Sequence, residues 1–100
     1  METLTIKEFA QENNFVSYNK TVRANVNGYC YVTFMNEANE ATNVYLSRKL
    51  GEEISAGDSV IEMFKEHQCA VFQTVNADGE ARIKLGSRSE SLRGNIEDLF

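Results

Sequence analysis

The stretch that most constrains the fold is residues 28–34, Gly-Tyr-Cys-Tyr-Val-Thr-Phe, which is rich in β-branched and aromatic residues. Successive side chains of a β-strand leave opposite faces, so this run has two distinct sides. The apolar side, typical of a protein core, consists of Cys30, Val32 and Phe34. The other side consists of Tyr29, Tyr31 and Thr33. Two tyrosines are unusual on a surface that only meets water, and they make this side a candidate binding face.

The turn signal Asn27-Gly28 predicts a hairpin over residues 21–34, and the loop length decides which side chains share a face. A two-residue loop would place Arg23 on the same face as Val32 and bury the arginine. A three-residue loop, with Gly28 in the left-handed conformation of a bulge, pairs Asn25 with Tyr29 instead. We therefore predict the bulged register. Its buried face holds Val22, Ala24, Cys30, Val32 and Phe34, and its other face holds Thr21, Arg23, Asn25, Tyr29, Tyr31 and Thr33.

A second hairpin is predicted over residues 69–85, with its turn at Ala77-Asp78-Gly79. The same three-residue loop directs Cys69, Val71, Val75, Ala81, Ile83 and Leu85 inward, with Gln73 as one polar exception. It directs Phe72, Thr74, Arg82 and Lys84 outward. Both hairpins therefore place aromatic and basic residues on the face opposite the aliphatic core.

Two helices and one more strand complete the predicted elements. A capping box of Thr5 and Glu8 predicts a helix over residues 5–14, and Ser59 with Glu62 predicts a second helix start. Residues 43–50 predict a third strand. Its inward residues are Val44, Leu46 and Leu50, and its outward residues are Tyr45, Ser47 and Lys49.

The order of helix, three strands, helix and two strands is that of the OB-fold, a small five-stranded Greek-key barrel. We expect an α+β, mostly β domain over residues 1–86, with an OB-like barrel, and a polar tail over residues 87–100. The alternative is an open antiparallel α+β sheet with both helices on one face.

Composition limits the class of function. A chain of 100 residues forms one modest core, and a net charge of -5 argues against a simple basic nucleic-acid binder. The charge is uneven, however: residues 51–66 hold five acids and one lysine, whereas residues 17–50 hold four bases and two acids. The first residues lack the pattern of a secretory signal, no apolar run is long enough to span a membrane, and the two cysteines suit a reducing compartment. We expect a cytoplasmic protein that does not contact membranes.

No motif for catalysis or cofactor binding is present. The chain has no P-loop and no dinucleotide-binding glycine signature. His67, Cys69 and Cys30 are too few for a zinc site, which needs about four ligands. We therefore expect no metal, no cofactor and no enzymatic activity.

The outward side chains suit single-stranded nucleic acid, which is held by rings that stack on bases and by cations that follow the phosphates. The candidate stacking residues are Tyr29, Tyr31, Tyr45 and Phe72, and the candidate phosphate contacts are Arg23, Lys49, Arg82 and Lys84. Asn25 shares the predicted face. We expect sequence-tolerant binding of single strands, with DNA favoured over RNA, by a homo-oligomer. As alternatives, the rings pack under the first helix, or the same face binds a protein, as in a phage-type inhibitor or a structural subunit.

The last residues, Glu97-Asp98-Leu99-Phe100, resemble the acidic, phenylalanine-ended tips of bacterial and phage single-stranded-DNA-binding proteins. The resemblance implies that these four residues dock replication or repair proteins. This chain departs from that pattern because it has two acids rather than a longer acidic run and lacks a long Gly- or Pro-rich linker. The alternative is a short closing helix with Leu92, Ile96 and Leu99 on one face.

Overall fold

The computed structural model describes residues 3–75 and 77–87, which form one mixed, seven-stranded sheet and three helices. The strands are β1 (Thr3–Thr5), β2 (Phe15–Tyr18), β3 (Arg23–Ala24), β4 (Cys30–Asn36), β5 (Ala41–Leu46), β6 (Ala70–Val75) and β7 (Ala81–Gly86). The helices are α1 (Ile6–Asn13), α2 (Arg48–Gly51) and α3 (Val60–His67). The chain is therefore a small α+β protein. The predicted tail, residues 87–100, lies outside the described residues apart from Ser87.

The sheet has the order β1-β6-β7-β5-β4-β2, and β3 pairs with β4 along the edge that β2 also occupies. The pairing of β5 with β7 is parallel and the other pairings are antiparallel, so the alternative of an entirely antiparallel sheet is wrong. The sheet curls into half a barrel. Helix α1 connects its two edge strands, β1 and β2, and contacts both of them.

Both predicted hairpin registers are confirmed. In the first hairpin Arg23 opposes Tyr31, the Asn25 N–H donates to the Tyr29 carbonyl at 3.0 Å, and Gly28 has φ +84°. In the second hairpin the pairs run from Val75 opposite Ala81 to Ala70 opposite Gly86, and they include Phe72 opposite Lys84. Gly28 and Gly79 are the last residues of the two loops and have a positive φ, which is unfavourable for residues with a Cβ. The glycine at this position therefore favours the three-residue loop, and the loop length sets the register.

The helix starts are also as predicted. The Thr5 side chain accepts from the Glu8 N–H at 3.1 Å, and the Glu8 carboxylate accepts from the Thr5 N–H at 2.9 Å, which completes the capping box of α1. The Ser59 hydroxyl accepts from the Glu62 N–H at the start of α3. Asn14 ends α1 in the left-handed conformation.

Several elements differ from the sequence prediction. The short strands β1 and β2 were not predicted, and the predicted strand over residues 43–50 ends at Leu46. Ser47 then caps α2, where its hydroxyl accepts from the Leu50 N–H at 3.1 Å. Lys49 therefore lies on a helix rather than on the outer face of a strand, although Val44, Leu46 and Leu50 are buried as predicted.

The core lies on the inner face of the sheet, beneath α1 and α3. Its centre is a group of rings that we call the Phe34 cluster: Phe9, Phe15, Tyr18, Phe34 and Phe64. Phe34 is fully buried, and its ring centroid lies 5.4 Å from that of Phe9 and 5.9 Å from that of Tyr18. Tyr18 in turn contacts Phe64 of α3 at 5.1 Å. The cluster thus joins α1, β2, β4 and α3.

Residues near the turns of the two hairpins lie outside this core. Ala24, Ala81 and Ile83 were predicted to face inward with the core, but they are exposed, Ile83 by 47%. Val71 and Leu85, nearer to the middle of the sheet, are buried as predicted. The alternation of side chains along a strand therefore predicts on which face of the sheet a residue lies. Whether that residue is also buried depends on whether other core residues pack against it. No helix of the described residues is long and apolar enough to cross a membrane.

Replacing Gly28 by alanine tests the bulged turn. A Cβ at Gly28 would meet no atom within 4 Å, so the expected loss of about 1 kcal/mol in the free energy of unfolding reflects backbone strain alone. Gly51→Ala is the matched control, because Gly51 lies in α2 and its Cβ would make an ordinary 4.0 Å contact with Leu46. Urea unfolding should show a loss for Gly28→Ala and no loss for Gly51→Ala. Equal stability of the two variants would contradict the turn described here.

Tyr18 should make stability depend on alkaline pH. Burial raises the pKa of Tyr18 above its ordinary value, so the unfolded chain gives up this proton at a lower pH than the folded chain. The stabilisation is complete below the ordinary pKa and is lost as pH rises through the folded pKa. Urea unfolding at neutral pH and above pH 10 should therefore show a smaller alkaline loss for Tyr18→Phe than for the wild type. Every other titrating group is common to both proteins, so equal losses would contradict the burial of this phenol.

Candidate functional site

Five of the predicted site residues form a line across the outer face of the sheet. Directly opposed residues on neighbouring strands share a face, and the register links each member to the next. Arg23 opposes Tyr31, Tyr31 opposes Tyr45, Tyr45 pairs with Lys84, and Lys84 opposes Phe72. We call Arg23, Tyr31, Tyr45, Lys84 and Phe72 the cross-sheet row. It brings together residues from five different strands.

The members of the row contact one another at its centre. The ring centroids of Tyr31 and Tyr45 are 5.2 Å apart with an interplanar angle of 50°. The Lys84 ammonium lies 5.8 Å from the Tyr45 centroid, within the range of a cation–π interaction. Both tyrosines, Lys84 and Phe72 are half-buried, whereas Arg23 is exposed. The row is therefore packed along its sides and still open to a ligand from above.

Tyr29 and Asn25 lie at the end of the first hairpin. Tyr29 is 66% exposed. The Asn25 side-chain oxygen accepts from the Asn27 N–H and the Tyr29 N–H, each at 2.9 Å. Asn25 therefore orders the turn that presents Tyr29, and its side-chain NH₂ is the part that can donate to a ligand.

An open cleft of about 1050 Å³ adjoins the row at the end of β5. Tyr29 and Tyr45 line it together with three cationic side chains, those of Arg48, Arg82 and Lys84. The exposed ion pairs of Arg48 with Glu52 and of Arg82 with Glu80 are each 3.9 Å long. Such pairs between exposed side chains are weak, so both guanidinium groups are available to an incoming anion.

Sequence reasoning missed Arg48. In the predicted strand over residues 43–50 it falls between the inward residues Leu46 and Leu50, but in the structure it is the first residue of α2 and lines the cleft. The available signal was Ser47, a residue type preferred at helix N-caps. Lys49 is exposed on the same helix and belongs to neither the row nor the cleft lining.

Tyr31 and Tyr45 alternate along their strands with the buried residues Val32 and Val44, so these two rings lie on the face opposite to α1 and do not pack beneath it. The tyrosine that packs into the core is Tyr18, through its contacts with Phe34 and Phe64. Phe72 also borders a groove of about 220 Å³ lined by Leu4, Phe9 and Ile83, which places that end of the row beside α1.

The described residues hold no group of three or more His, Cys, Asp and Glu side chains placed to bind a metal ion. Cys69 is buried with its thiol 3.6 Å from the Met63 carbonyl, and Cys30 is half-buried. His67 lies 3.8 Å from the Glu53 carboxylate.

The predicted partner-binding residues Glu97, Asp98, Leu99 and Phe100 lie outside the described residues.

Comparison with known proteins adds no relative to this description. No protein-family model, curated protein or solved structure matches the chain.

Proposed function

We propose that the outer face of the sheet binds single-stranded nucleic acid, with DNA favoured over RNA, and that the protein does not catalyse a reaction on it. The observation that carries this proposal is the cross-sheet row, in which three aromatic rings and two cations form one continuous line. Rings supply stacking surfaces for bases, and cations between or beside them meet the phosphates. Since every base has a π-face, binding of this kind tolerates sequence.

The arrangement of charge supports the proposal despite the net charge of -5. Four acids lie on the two longer helices, Glu8 and Glu12 on α1 and Glu62 and Glu66 on α3, whose buried residues pack against the inner face. The outer face carries Arg23 and Lys84 in the row, with Arg48 and Arg82 beside it. A single strand on this face would therefore meet these cations, together with Glu52 in the cleft lining and Glu12 in the groove beside Phe72.

The strand order also supports an OB-like architecture, which we include in the proposal. The five strands from the two hairpins and β5 follow the order β3-β4-β5-β7-β6, with β5 and β7 parallel. An OB-fold is a partly open Greek-key barrel that binds its ligand on the face of its second and third strands. Tyr31 and Tyr45 lie on the corresponding strands, β4 and β5.

A protein partner is the second candidate. Half-exposed tyrosines are frequent in protein interfaces, and the exposed Tyr29 and net acidic charge are compatible with a basic protein or with a second copy of the chain on the same face.

The role of Glu97–Phe100 in recruiting replication or repair proteins remains a proposal from the sequence resemblance.

A titration with oligothymidylate separates the two candidates. The chain has four tyrosines and no tryptophan, so tyrosine emission reports directly on stacking. We expect the oligonucleotide to quench this emission at low salt, and we expect affinity to fall as salt rises. A protein-binding face predicts no quenching at any salt concentration, and that result would overturn the proposal.

Tyr31 provides the matched variants. Tyr31→Ala removes one stacking surface and should weaken binding roughly 5- to 150-fold, which corresponds to about 1–3 kcal/mol per base. Tyr31→Phe keeps the ring and should bind like the wild type. Anisotropy of a labelled oligonucleotide measures the affinity, and urea unfolding of each variant shows whether it is folded. Equal binding by folded Tyr31→Ala would contradict a role for the row.

A further inference from the structure

We propose that the open cleft at the end of β5 binds the terminal phosphate of a single strand, a phosphate monoester at its 5′ or 3′ end, together with the nucleotide that carries it. This inference rests on the proposed function and adds a preference for the ends of strands over their internal segments. It follows from the place of the cleft in the fold, from its charge and from the donors of its two arginines.

The cleft lies on the side of the cross-sheet row where β4 begins and β5 ends. Its lining comes from the turn of the first hairpin, from the corner between β5 and α2, and from β7. Tyr45 and Lys84 belong to both the row and the cleft lining, so the two surfaces are continuous. Because Arg48 begins α2 only two residues after β5 ends, the outer face of β5 stops at the cleft, which can therefore receive the last nucleotide of a strand.

The size of the cleft suits one nucleotide with its phosphate. Sites for single small ligands measure roughly 300–1,000 Å³, and this open cleft measures about 1050 Å³. Tyr29 and Tyr45 line it and provide surfaces for the base. Asn25 orders the turn that presents Tyr29, and its side-chain NH₂ is a donor in the same lining.

The charge of the cleft favours a monoester over an internal phosphodiester. Three cations, Arg48, Arg82 and Lys84, line it together with one carboxylate, Glu52, so the formal charge of the lining is three minus one, or +2. An internal phosphodiester carries a single negative charge, whereas a phosphate monoester carries about −1.5 to −2 at pH 7. The terminal phosphate is therefore the group of a single strand that best matches this lining.

Both arginines keep donors for that phosphate. The Glu52 carboxylate lies 3.9 Å from Arg48 Nε, and the Glu80 carboxylate lies 3.9 Å from one terminal nitrogen of Arg82. Both distances exceed that of a hydrogen bond, and the two terminal nitrogens of Arg48 take no part in its ion pair. A guanidinium binds phosphate oxygens in pairs, and a monoester offers three such oxygens.

Oligothymidylates of one length that differ only at their ends test the preference. The strands carry hydroxyls at both ends, a 5′-phosphate, a 3′-phosphate, or either phosphate capped as its methyl ester, and competition with a labelled strand at low salt measures their affinities. At least one phosphate-ended strand should bind roughly tenfold more tightly than the hydroxyl-ended strand, as expected for one added charge-assisted hydrogen bond. The methyl ester is a diester with one charge and should lose most of this gain. The end that shows the gain identifies the phosphate that the cleft binds.

The outcomes separate this inference from the proposed function. Equal affinities of all these strands would overturn the preference for ends and leave the proposed function intact. If no strand binds, the proposed function itself fails.

Arg48 provides the variants that assign the preference to the cleft. Its side chain is 93% exposed, so Arg48→Gln should fold, and it should reduce the ratio of phosphate-ended to hydroxyl-ended affinity severalfold. Lys49→Gln is the matched control, because it removes the same charge from an exposed residue of α2 that does not line the cleft, and it should keep the ratio. Arg82→Gln is a second cleft variant, and urea unfolding shows whether each protein is folded. An unchanged ratio in both folded cleft variants would overturn the assignment.

Discussion

The burial of Phe34 is the constraint on which the remaining structure depends. Its ring packs against Phe9, Phe15 and Tyr18, which lie on α1 and β2. Because side chains of a strand alternate, fixing Phe34 inward fixes Tyr31 outward, and the pairing of β4 with β5 transfers the same choice to Tyr45. The packing of the core therefore determines which side chains lie on the outer face. The Phe34 cluster on the inner face in this way orients the residues of the candidate site on the other side of the sheet.

Local signals in the sequence were sufficient for the hairpins and the helix starts. Gly28 and Gly79 have positive φ, a conformation that determines loop length, and loop length determines register. Thr5 and Ser59 each cap a helix by accepting a hydrogen bond from a backbone N–H three residues further along the chain. The strand prediction over residues 43–50 failed because Leu46 and Leu50 are four residues apart, a spacing that fits both a strand and a helical turn. Burial was therefore predicted correctly while the secondary structure was not.

Long-range pairing explains what the sequence did not reveal. The strands β1 and β2 are short and have no local turn partner, since β1 pairs with β6 and β2 with β4. The residues of the cross-sheet row were predicted, but the order in which they follow one another across the sheet was not. The contact of Tyr45 with Lys84 arises from the parallel pairing of β5 with β7, and no local pattern encodes such a neighbour.

That parallel pairing is short, and this has a mechanical consequence. Two residue pairs, Tyr45 with Lys84 and Leu46 with Leu85, join β5 to β7, followed by the hydrogen bond from the Ser47 N–H to the Leu85 carbonyl at 2.7 Å. The ladder of β4 with β5 has five residue pairs and that of β6 with β7 has six, so this junction is a short seam between two halves of the sheet. The row crosses the seam between Tyr45 and Lys84. A molecule bound along the whole row would contact both halves of the sheet and would add to the few contacts that join them at this seam.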